Sequence, residues 1–71
     1  MKVMLFVETK VAESARSLVA SLISAGYCVD LISAPQCVRR SRELPLLYIP
    51  GVGRVIEGDL SLREFLRDAT L

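Results

Sequence analysis

Seventy-one residues make one small domain, residues 1–71, with room for only a modest core. The chain is 52% hydrophobic and 24% charged, which is too apolar for intrinsic disorder. Nine basic and eight acidic residues leave a net charge of +1, so no general electrostatic basis exists for binding nucleic acid or a membrane surface. Histidine is missing, and with it the commonest general base and a frequent metal ligand. Cys28 and Cys37 do not form a CxxC, and unpatterned thiols of this kind in a reducing compartment are usually buried or inert. The apolar run after Lys2 is too short for a signal-peptide core, and no run approaches the roughly 20 residues that span a bilayer. The expectation is a cytoplasmic protein with no membrane span, no metal and no cofactor.

Val3–Val7 (VMLFV) is a continuous apolar run with β-branched and aromatic members, suited to a strand buried on both faces. From about Val11 to Ala25 the period changes. Ala15, Leu18, Val19, Leu22 and Ile23 follow the i, i+3, i+4, i+7, i+8 spacing of one helix face. Glu13 suits the positive end of that helix, and Gly26 suits its left-handed C-terminal position. Tyr27–Ser33 (YCVDLIS) reads as a second strand, with Asp30 its single charge. Strand, helix and strand of these lengths form a βαβ unit with parallel strands.

Ala34–Glu43 is polar. Pro35 suits the first position of a short helix with Cys37 and Val38 inside and Arg39, Arg40 and Arg42 outside, and an irregular loop fits equally well. Leu44–Leu62 is the most information-dense stretch. Leu44-Pro45 leads into the apolar run Leu46–Ile49, Pro50-Gly51-Val52-Gly53 turns the chain, and Arg54–Glu57 returns as a hairpin strand. Ser61 and Glu64 have the spacing of a capping box, and Leu60 and Phe65 that of a hydrophobic staple. Together these would contribute on the order of 1–2 kcal/mol to a helix whose inward face is Leu62, Phe65, Leu66 and Ala69.

The fold class is therefore α/β, in the order β-α-β-(short α or loop)-β-β-α with a four-stranded mixed sheet. That order resembles the thioredoxin fold, and Pro45 stands where that fold carries a cis-proline beside its active-site loop. Two thioredoxin-like families share features with the chain. The glycine turn and the Glu57–Leu66 segment are similar to the second half of glutaredoxins. Thiol chemistry needs a thiolate at the start of the first helix, where the helix dipole and nearby cations lower its pKa. Aligning Thr9-Lys10 with the Thr-Lys that precedes the glutaredoxin CxxC puts Glu13-Ser14-Ala15-Arg16 in the place of the cysteines.

The resemblance to the circadian clock protein family KaiB covers nearly the whole chain. Leu5-Phe6-Val7 resembles the LYV of its first strand, and Ser14-Ala15-Arg16-Ser17-Leu18 resembles its SVRAL. Pro35-Gln36 is similar to the PQ after its second strand, and Leu44-Pro45 to its TP. The most specific match is Arg54-Val55-Ile56 followed by Gly58-Asp59-Leu60-Ser61 and Arg63-Glu64, which resembles RKIIGDLSxRE. The chain is shorter than is usual for that family, and Glu57 is inserted before Gly58-Asp59. Pro45, Gly58, Asp59 and Ser61 are the structural markers of the resemblance. It implies a partner-binding module without thioredoxin chemistry, whose partners are a KaiC-like ATPase or a histidine kinase.

The function expected from these readings is non-enzymatic protein binding. Arg39, Arg40 and Arg42 are the candidate contacts to an acidic partner, set against the plainer reading of a solvated helix edge. The alternative is a degenerate glutaredoxin- or thioredoxin-like protein with residual redox chemistry at Cys37, beside Arg39 and Arg40; the plainer reading makes Cys37 a small core residue. A third reading is a self-associating domain with an unrelated binding role. Glu13 and Arg16 have the spacing of a weak surface pair. The glycines of Pro50–Gly53 lack the Lys and Ser/Thr of a phosphate loop and read as a hairpin turn.

Overall fold

The computed structural model describes residues 1–69, the last of them by its backbone alone. Its elements are β1 (Lys2–Val7), α1 (Glu13–Ser24), β2 (Cys28–Ser33), α2 (Gln36–Ser41), β3 (Leu46–Ile49), β4 (Arg54–Glu57) and α3 (Asp59–Ala69). The sheet order is β2-β1-β3-β4, with β1 and β2 parallel and the β1–β3 and β3–β4 pairs antiparallel. This is an α/β arrangement with a mixed four-stranded sheet, consistent with a thioredoxin-like fold. The polar segment after β2 is a short helix, with Pro35 at its N-cap and not inside its first turn.

Register builds the core. Leu5 lies beside Leu31 on one side and Leu47 on the other, and Leu47 lies beside Ile56. The row crosses all four strands on one face. Against that face α1 packs Ala15, Leu18 and Leu22, and α3 packs Leu62. Leu5, Leu22, Leu47 and Leu62 are fully buried. Each such side chain contributes about 1.5–3 kcal/mol relative to exposure.

Burial of β1 is uneven. Val3, Leu5 and Val7 are buried on the face that carries α1 and α3, whereas Met4 and Phe6 on the opposite face are only half-buried. The expectation of a strand enclosed on both sides fails because α2, with six residues, covers only part of the second face. Val38 of α2 and Arg42, the extended C-cap that follows it, line one groove with Phe6 and Leu46 on that face. Cys37 is exposed, which corrects its assignment to the inner side of α2: one residue is a 100° rotation away from Val38.

In α1 the buried stripe is Ala15, Leu18 and Leu22, with Val19 packed at its margin. Ile23 is 59% exposed and is not part of the inward face. It lies about 100° around the helix from Leu22. The helix ends in a Schellman motif. Gly26 has φ +94°, its N–H donates to the Ile23 carbonyl, and the Tyr27 N–H donates to the Leu22 carbonyl.

The predicted hairpin is present. Ile49 pairs with Arg54, the N–H groups of Val52 and Gly53 donate back to Ile49 and Pro50, and Gly53 has φ +65°. The expected capping box is not formed. Helix α3 begins at Asp59, and the Leu62 N–H already donates to the Gly58 carbonyl, which places Ser61 inside the first turn. Leu60 is 73% exposed, so it staples nothing. Gly58 acts as the helix boundary because its φ of +89° reverses the chain straight out of β4. The side chain of Ala69, assigned by spacing to the inward face of α3, lies outside the described residues.

Candidate functional site

The first turn of α1, the strand-entry residue Pro45 and the first turns of α3 meet at one end of the sheet. They enclose an open groove of about 370 Å³ whose walls include Thr9, Ser14, Ala15, Pro45, Asp59 and Arg63. The Leu44-Pro45 bond is cis, as the resemblance implied. Pro45 is tied to α3 through its carbonyl, which accepts the Gly58 N–H at 2.9 Å. Asp59 and Arg63, one helical turn apart, form an ion pair of 3.0 Å along the groove. Thus the marker residues Pro45, Gly58 and Asp59 come together, and the fourth, Ser61, is exposed.

Side chains at the start of α1 give this groove little reactive chemistry. Ala12 is the N-cap and provides no side-chain hydrogen bond to the helix. Ser14 and Ala15 form the groove's wall on the α1 side, and no cysteine lines it. Cys28 is at the opposite end of the sheet, beside Lys2, and Cys37 is on α2 across the sheet. Both thiols are free and exposed. The readings of Cys28 and Cys37 as buried residues are therefore corrected. Cys28 begins the edge strand β2 on the sparsely covered face, and α2 turns Cys37 to solvent.

The three candidate arginines have separate roles. The Arg39 Nε donates to the Ala34 carbonyl at 3.0 Å, and its Nη2 donates to the Glu8 carbonyl at 2.6 Å. This guanidinium joins the β2–α2 connection to the loop that lines the groove. Arg42 Nη1 pairs with Glu57 Oε1 at 3.1 Å, joining α2 to β4. Arg40 is exposed and has no hydrogen bond or ion pair with a described residue. Glu13 and Arg16, although correctly spaced, form no ion pair. The fork-shaped guanidinium suits the two-carbonyl contact of Arg39, but the receiving carbonyls leave no trace in a residue pattern.

A second cluster had not been singled out from the sequence. Tyr27 and Phe65 rings lie 6.1 Å apart at an interplanar angle of 38°, and the Arg54 guanidinium stands 5.3 Å from the Phe65 centroid. Arg54 thus covers the outer face of an aromatic pair that closes the side of the core. The spacing of Asp59 and Arg63 was a readable signal for their ion pair; the Arg54–Phe65 contact depends on how α3 lies over β4.

Among the described residues no group of three or more His, Cys, Asp or Glu side chains is placed to hold a metal ion. No described helix is long and apolar enough to cross a membrane. No protein-family model, curated protein or solved structure matches the chain.

Proposed function

We propose that the protein is a non-enzymatic protein-interaction module of KaiB type, an adaptor or regulator whose partner is a KaiC-like ATPase or a histidine kinase. The observation that carries this reading is the thiol-free groove at the start of α1: Ser14, Ala15 and cis-Pro45 line it together, while Cys28 and Cys37 lie elsewhere. The order of the KaiB-like segments adds to it. Leu5–Val7, Pro35-Gln36, Leu44-Pro45 and Gly58–Ser61 fall respectively on β1, at the start of α2, before β3 and at the β4–α3 junction. The test is capture from the native cell with the intact chain as bait. Recovery of a KaiC-like ATPase or a histidine kinase, repeated with purified components, supports the module; consistent recovery of neither counts against it.

Exposure of Cys37 keeps one alternative in view, a residual thiol redox role. Thiol–disulfide exchange that disappears in Cys37→Ser would favour that role. The same activity in both proteins, or none in either, removes it.

A further inference from the structure

We propose that β4 receives an extended segment of a partner protein, added as a fifth strand, in which apolar and basic side chains alternate. The proposal rests on the interaction-module reading and names the surface and the partner chemistry. β4 is an edge of the sheet. The bond from the Gly58 N–H to the Pro45 carbonyl, together with the β3–β4 register, fixes the phase of the ladder. Ile56 and Arg54 direct their backbone groups toward β3, so Val55 and Glu57 direct their N–H and C=O groups outward. Unpaired donors and acceptors in a row at an edge fit one type of occupant, an extended backbone.

The two faces beside β4 specify the side chains. On the α2 face, Val55 borders an apolar groove of about 230 Å³ walled by Phe6, Val38, Leu46 and Tyr48. Val55 itself is 44% exposed. On the helix face, a polar groove of about 560 Å³ runs between Arg54, Phe65, Glu64 and Asp68. Glu64 and Asp68 are exposed and in no ion pair with a described cation, whereas Arg54 rests on Phe65. Neighbouring residues of an added strand point to opposite faces. One set meets the apolar groove and the other meets two unpaired carboxylates.

The other edge, β2, lacks this combination. Its outward charge, Asp30, is paired with Lys2 at 3.4 Å, and no large hydrophobic residue on it is exposed. A second copy of the chain is a poorer occupant than a basic strand. Antiparallel pairing of two β4 edges about a two-fold axis preserves the faces, so Glu64 and Asp68 of both copies would converge on one rim as like charges.

The probe is a synthetic peptide of about seven residues alternating lysine and valine, titrated into the intact chain and followed by amide chemical shifts. Two controls accompany it: the same peptide with glutamate for lysine, and the lysine–valine peptide N-methylated on alternate residues. The expected result is shifts centred on Val55 and Glu57, with binding by both controls weaker by about tenfold or more. The double variant E64K/D68K, whose changes lie on the exposed side of α3, is expected to weaken the lysine peptide about tenfold while retaining the native amide spectrum. Shifts centred on Pro45 or on β2, equal binding of the lysine and glutamate peptides, undiminished binding of the N-methylated peptide, or no binding at millimolar concentration would each overturn the proposal. So would a dimer whose β4 amides are protected. If the variant still captures an ATPase or kinase as the wild type does, the edge is rejected and the module reading stands; if neither protein captures one, the module reading itself fails.

Discussion

The Arg39 Nη2 donates to the Glu8 carbonyl at 2.6 Å, across thirty-one positions of sequence. With the Nε bond to Ala34, this side chain connects α2 to the loop between β1 and α1, and hence to the groove wall. Arg39→Ala is expected to lower stability by about 1 kcal/mol and to speed hydrogen exchange at the amides of residues 9–12. Arg40→Ala, which removes an unengaged side chain, is expected to change stability by less than about 0.5 kcal/mol. Denaturant titration of the two variants checks the difference; equal losses would show that the Arg39 contacts carry no stability.

Gly58 and Gly51 predict opposite responses to alanine. A Cβ at Gly58 would stand 2.8 Å from Glu43 Oε2, and the backbone there has φ +89°. The Glu43 side chain is able to swing aside, but the left-handed backbone is not relieved by that movement. Gly58→Ala is expected to cost about 1 kcal/mol or more. At Gly51 nothing lies within 4 Å and φ is not in the left-handed region, so Gly51→Ala is expected to be neutral or slightly stabilising. Melting temperatures of the pair provide the comparison.

Ser61→Ala tests where α3 begins. A capping serine replaced by alanine costs about 1 kcal/mol. Because Ser61 lies inside the first turn and is exposed, the expected change is below about 0.5 kcal/mol. A loss near the full capping value in urea denaturation would restore Ser61 as the helix boundary.

Core truncation should separate the two apolar residues of α1 that share a spacing pattern but not an environment. Leu22→Ala, at a fully buried site, is expected to cost about 2–5 kcal/mol, enough to leave much of so small a domain unfolded. Ile23→Ala, at a 59% exposed site, is expected to cost under about 0.5 kcal/mol. Circular dichroism at ambient temperature distinguishes these outcomes without a full titration.

Both cysteines should be modified in the folded chain, since Cys28 and Cys37 are free and exposed. Two equivalents of a thiol reagent should be consumed without denaturant, and Cys37→Ser should reduce this to one. Reaction only after unfolding would contradict the exposed positions on β2 and α2.

Local patterns determined most of the element order. The uninterrupted Val3–Val7 run, the switch to helical spacing at Ala15, the glycine at Gly26 and the Pro50–Gly53 turn are short-range signals, and each acts through neighbouring backbone and side chains. Pro45 and the Gly58-Asp59 junction were also legible, although their convergence beside the start of α1 required the folded sheet. The sequence spacing of Ser61 and Glu64 matched a capping pattern with Leu62 as the first helical residue, but the β4–α3 connection starts the helix three residues earlier, at Asp59.

Tertiary structure alone decided which apolar and charged side chains are covered. Ile23 satisfies the helical period and still faces solvent, because periodicity gives an angle around a helix and not the width of the surface it rests on. Cys37, Arg39 and Arg42 share one short polar segment and are all exposed, yet one is a free thiol, one holds two carbonyls and one pairs with Glu57. Those differences come from residues distant in sequence. The same holds for the outward edge of β4, whose unpaired backbone groups follow from strand order and register. The sequence determined the elements through local conformational preference; the packing of α2 over part of one sheet face and of α3 over β4 decided which surfaces remain exposed.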